Sequence, residues 1–83
     1  MRERVKEILR AHARLSVDVG MLDDDADLYQ AGFTSHACVE VMLAVEDAFD
    51  VEFPEEMLRK GTFQSVAAIC TAVEALAAVG GRA

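Results

Sequence analysis

Between Asp18 and Glu56 the chain has twelve acidic residues and not one lysine or arginine. Across all 83 residues there are 8 basic side chains against 15 acidic ones, a net charge of -7. A nucleic-acid binder needs a basic footprint to displace counterions from phosphates. The acidic block excludes that class, would repel an anionic membrane surface, and would attract basic proteins. Proline and glycine are scarce too, at one and five, and tryptophan is absent. That shortage argues against a many-stranded sheet and for helices. The longest apolar-rich run, Val66 to Val79, falls short of the ~20 residues that span a bilayer. The two cysteines, Cys38 and Cys70, have no metal-ligand or redox spacing; they read as small buried hydrophobes. Residues 1–15 carry charge throughout and lack the apolar core of a signal peptide. The expected setting is a reducing cytoplasm.

What is present is a globular composition, 53% hydrophobic and 28% charged. The length suits one domain over residues 1–83, with one small core and little room for a walled catalytic cleft. The starting Met1 and a short tail suit a whole protein. Val5, Ile8, Leu9, His12 and Leu15 recur near helical spacing and predict an amphipathic helix over 3–15. Residues 16–34 form a long connection, pinned by Met21, Leu22, Leu28, Tyr29 and Phe33; ordered connections of this length are often functional. A second helix is predicted over 35–50, with Cys38, Val41, Met42, Val45 and Phe49 toward the core. Val51 to Phe53 reads as an extended link. Pro54 suits a helix start, so 54–60 reads as a short third helix ended by Gly61. Thr62 would cap a last helix over 63–78, with a stripe of Val66, Ile69, Cys70, Val73, Leu76 and Ala77. Gly80 and Gly81 would stop it. The fold class is therefore all-α, a small bundle of three substantial helices and one short one.

Asp23, Asp25 and Asp27 share the alternation that opens a calcium-binding loop. Leu28 and Thr34 stand where that loop demands glycine and glutamate, so a solvated acidic loop is the better reading. No nucleotide-binding glycine motif and no catalytic serine–histidine pair is present; the adjacent Ser35 and His36 point about 100° apart on a helix. Ser35 is notable for its place at the start of the second helix. Helix N-termini present unpaired N–H groups and the positive end of the dipole, a setting for a phosphate ester. On local grounds alone, Thr34 or Ser35 could equally be a plain helix cap. On the outer face of the same helix, acidic Glu40, Glu46, Asp47 and Asp50 surround Val39 and Leu43, with His36 at one end. Apolar anchors with an acidic rim suit a docking surface for a basic partner.

The stretch from Asp27 to Phe53, DLYQAGFTSHACVEVMLAVEDAFDVEF, resembles the acyl carrier protein family. Gly32, Ser35, Val39, Glu40, Glu46, Phe49 and Pro54 stand where the family pattern has them. The resemblance implies a four-helix bundle with a long first loop. It implies a phosphopantetheine arm held covalently on Ser35, with an acyl or aminoacyl thioester at its tip. It also implies no catalysis by the chain itself. Its partners would be a phosphopantetheinyl transferase, an adenylating acyl or aminoacyl ligase, and downstream acyl-accepting enzymes. They would meet a monomer through His36, Val39, Glu40, Leu43, Glu46 and Asp47. Thr34-Ser35-His36 replaces the family's usual Asp-Ser-Leu. The lost acid and the gained histidine incline the reading toward aminoacyl or otherwise specialised cargo. The alternative from another class is an unmodified acidic helical adaptor that binds basic proteins.

Overall fold

The computed structural model describes residues 1–78, so the stop expected at Gly80 and Gly81 lies outside the described residues. Within them the chain is all-helical, with no strand. Helix α1 spans Arg2–His12, α2 spans Ser35–Phe49, and α3 spans Val66–Ala78. Single turns of 3-10 helix at Val19–Met21, Glu55–Met57 and Lys60–Phe63 punctuate the connections.

Val5, Ile8 and Leu9 form the buried stripe of α1, and the helix ends at Ala13, before Arg14 turns left-handed at φ 53°. The 3–15 expectation therefore overruns by about one turn: Leu15 still packs on the core, but from the connection. α2 is capped by Thr34, whose extended backbone lets its Oγ1 accept the Ala37 N–H at 3.1 Å. It ends on Asp50 in the left-handed conformation, which short polar side chains tolerate. α1 packs closely against both α2 and α3, while α2 and α3 make few close approaches to each other. The core is apolar throughout, and among the described residues no buried polar side chain lacks a partner.

Several expectations need correction. Residues 54–60 do not form a helix: only Glu55–Met57 makes a turn, with Pro54 extended before it. Gly61 lies inside the next turn, Lys60–Phe63. α3 starts at Val66, and Ser65 rather than Thr62 caps it, its hydroxyl accepting the Ala68 N–H at 3.0 Å. The link from Val51 to Phe53 is core: Val51 and Phe53 are buried, and the Phe53 ring lies 5.2 Å from that of Phe63. Phe49 and Cys38 are only half-buried at its edge, and Ala37 takes the buried place on α2. On α3, Ala72 is buried and Ala77 is exposed.

Acids hold the first connection in place. Asp24 pairs with Arg2 at 2.7 Å and Lys6 at 3.6 Å, while its carbonyl accepts the Ala67 N–H at 2.9 Å. Asp27 accepts from the Tyr29 N–H and from Gln64 Nε2, and the Leu28 N–H reaches Gln64 O at 2.7 Å. These bonds tie the loop to the start of α3. Gly32, at φ 104°, closes the loop beside Ser16. A side chain there would be strained in that backbone region. Ser16 donates both its N–H and its hydroxyl to Ala31 O. Leu28 and Phe33 are buried pins as expected, but Met21 is exposed.

Candidate functional site: the start of α2 and its two flanks

Thr34 takes the capping role, which leaves Ser35, the first residue of α2, exposed with its hydroxyl free of that duty. The loop that delivers it is anchored to the core just before Ser35. Phe33 is buried, its N–H bonds Leu28 O at 3.0 Å, and its ring lies 5.5 Å from that of Tyr29. A group on Ser35 would thus sit on a fixed base at the positive end of a 15-residue helix.

Ser35 opens onto a cavity of about 620 Å³, within the roughly 300–1,000 Å³ typical of small-molecule sites. One wall is α2, through Cys38, Val39 and Met42; the other is the segment after it, through Leu58, Arg59, Lys60 and Phe63. Tyr29 closes one end. Its hydroxyl donates to Lys60 O at 3.3 Å, and the Lys60 ammonium lies 5.0 Å from its ring centre. Burial, reinforced by the neighbouring Cys38 thiol, pushes the Tyr29 phenol up to about 12. Burial also raises the Cys38 and Cys70 thiols, which leaves both less reactive. Neither cysteine is in a disulfide.

The other flank of α2 has a shallower, more open depression of about 610 Å³, lined by His12, Glu40, Leu43, Ala44, Glu46 and Asp47. The expected docking residues therefore divide. Leu43, 55% exposed, lies in this acidic cleft, while Val39, 52% exposed, belongs to the Ser35 cavity. They are one helical turn apart and line different depressions. His36 is exposed and lies 3.6 Å from Glu40. Asp47 is exposed. Glu46 is half-buried and turns a carboxylate oxygen back to accept the Phe53 N–H at 2.9 Å, so it also braces the link that follows α2. Sequence reasoning missed the far wall of the Ser35 cavity and the place of His12. The pair Arg59-Lys60 was the available signal, being the only cations between Arg14 and Arg82. Of the residues first weighed for calcium, Asp27 accepts from the Tyr29 N–H and from Gln64 Nε2, while the neighbouring Asp24 takes Arg2 and Lys6; no metal-binding cluster occurs among the described residues.

A family model described as the phosphopantetheine attachment site matches residues 3–73. An aminoacyl carrier protein from Agrobacterium fabrum is 44% identical over 69 residues, 83% of each chain. A carrier protein from Agrobacterium tumefaciens gives a TM-score of 0.87 at 42% identity, over 89% of this chain and 99% of its own. Its crystal structure is a complex with an engineered Bradyrhizobium japonicum glycine:[carrier protein] ligase and AMP. The solution structure of an Agrobacterium tumefaciens protein gives 0.76 at 40% identity, over 94% of both chains. The residues present fit a phosphopantetheine group: an exposed hydroxyl at a helix N-terminus, and a largely apolar cavity bearing two cations. On the match over residues 3–73 and the 44% identity, the chain belongs to the phosphopantetheine-attachment family of acyl carrier proteins, which hold cargo for other proteins' chemistry and are not themselves catalysts.

Proposed function

We propose that Ser35 bears the phosphopantetheine arm and that the arm carries an aminoacyl group as a thioester. The observation that carries the attachment site is the division of labour at the head of α2: Thr34 caps the helix, so the neighbouring hydroxyl is exposed and uncommitted. The phosphopantetheinyl transferase would esterify that hydroxyl as a phosphodiester. An adenylating ligase would then load the thiol. The similarity to a protein named as an aminoacyl carrier, and to a carrier protein seen with a glycine:[carrier protein] ligase, supports amino-acid cargo over a fatty chain. His36 and the acidic cleft of Glu40, Leu43 and Asp47 would form the docking face for the ligase and for the downstream acceptors. In the family's four-helix plan, the paired turns at Glu55–Met57 and Lys60–Phe63 take the place of the short third helix. The chain would work as a monomer in a reducing, cytoplasmic setting, with Cys38 and Cys70 remaining thiols.

The test is loading. The arm-bearing protein is mixed with ATP and a glycine:[carrier protein] ligase, and separately with an acyl ligase and a fatty acid. A mass gain of one glycyl group in the first mixture, and none in the second, is expected. Loading by the fatty acid alone would overturn the aminoacyl reading.

A further inference from the structure

We propose that Arg59 and Lys60 seat the phosphodiester of a phosphopantetheine group on Ser35 and hold the first part of the arm against the far wall of the cavity. The proposal rests on the reading of Ser35 as the attachment site.

Three observations carry it. First, the two cations are isolated in the sequence. No other lysine or arginine occurs between Arg14 and Arg82, in a chain of net charge -7. Second, neither is spent on an ion pair among the described residues, although Glu55 and Glu56 precede them by only a few positions. Arg2 and Lys6, by contrast, both pair with Asp24 of the first connection. Third, both line the cavity that Ser35 lines, facing it from the opposite wall. The backbone there is anchored, because Tyr29 donates to Lys60 O and its ring lies under the Lys60 ammonium.

Charge sorts the two flanks of α2. Glu40, Glu46 and Asp47 line the acidic cleft, and no carboxylate lines the Ser35 cavity. A phosphodiester carries one negative charge next to the serine oxygen. A guanidinium presents a planar fork that matches two phosphate oxygens, and an ammonium adds a mobile point charge. Partly sheltered by Phe63 and Leu58, that attraction is screened less than one in open water. The arm would leave this seat when partners draw it out. Arg59 and Lys60 are therefore positioning residues: they set where the arm rests and do not touch the reacting thioester.

The experiment compares the protein with and without its arm, in wild type, in Arg59→Gln/Lys60→Gln, and in Arg4→Gln as a remote charge control. All three positions are exposed, so the variants should fold. Intact mass first confirms the arm on each. Amide NMR shifts and the fluorescence of Tyr29, the only tyrosine in a chain without tryptophan, then report the arm's position. In wild type, adding the arm should shift the amides of Leu58 to Phe63 and alter Tyr29 emission. Both effects should be lost in the double variant and kept in Arg4→Gln. The phosphorus resonance should move as salt rises from ~0.05 to ~0.5 M in wild type and stay still in the double variant. Shifts confined to residues 33–38 in wild type, or unchanged by the double substitution, would overturn the seat while leaving Ser35 as the attachment site. No mass increment on any variant would overturn both.

Discussion

Two clefts of nearly equal size flank α2, about 620 Å³ and about 610 Å³, and they share almost no chemistry. The first starts at Ser35, is walled by aromatic and aliphatic side chains, and bears two cations. The second holds three carboxylates, one histidine and one exposed leucine. Size alone would treat them as equals. The lining separates them: an apolar cleft with cations suits an anionic arm, and an acidic cleft with a single apolar anchor suits a basic protein. One helix of 15 residues presents both, so the proposed attachment site and the proposed docking face would be held at a fixed distance from each other.

The largest effects should come from substitutions that treat the two flanks alike on paper. Phe63 is buried and lines the Ser35 cavity. Phe63→Ala should cost about 3–5 kcal/mol, most of the stability of a small domain, as read by denaturant unfolding. Leu43→Ala on the other flank removes an exposed side chain and should change stability by less than about 0.5 kcal/mol. Its effect should appear instead in the complex with the loading ligase, weakened by about 1–2 kcal/mol through faster dissociation. If Leu43→Ala unfolds the protein, or Phe63→Ala leaves it intact, the division between flanks is wrong.

A smaller effect is expected from charge. Asp47→Lys should slow loading by about two- to fivefold at low salt and reduce the salt dependence of the association rate. Circular dichroism should show the helices unchanged. Loading kinetics indifferent to both charge and salt would make the acidic cleft a solubility feature.

The smallest effect separates the flanks by titration. Tyr29 ionises near 10 when unfolded and at about 12 in the fold. Between those values the unfolded chain has lost a proton that the native chain keeps, so stability falls with rising pH across that window and is complete below it. Ultraviolet absorbance of tyrosinate should show the raised value. A normal titration near 10 would mean that the cavity end is open to water.

How legible this was depended on how local the cause is. Helical stripes such as Val5, Ile8, Leu9 and Val66, Ile69, Val73 follow from spacing, and the structure buries all six. The helix start at Thr34-Ser35 was legible as a local event, but local grounds left Ser35 open as a plain cap, and the family resemblance singled it out. The segment after α2 was misread for the opposite reason. Its proline and glycine suggested a capped helix, but tertiary packing sets its shape: Val51 and Phe53 turn into the core, and Glu46 fastens Phe53 from seven residues back. No periodicity announces such a link. The same non-local origin hid the far wall of the cavity, because Arg59 and Lys60 are remote from Ser35 in sequence and meet its cavity only through the fold. Val39 and Leu43 share a helical face on a wheel, and only the neighbouring elements reveal that they open into different clefts.

Intact mass after incubation with coenzyme A and a phosphopantetheinyl transferase tests the central claim most directly. Wild type should gain the mass of one phosphopantetheinyl group and Ser35→Ala should gain none, while Thr34→Ala, which loses only the cap, should still be modified. Retention of the group in Ser35→Ala, or no gain in wild type, would contradict the assignment of Ser35 as the point where this carrier holds its arm.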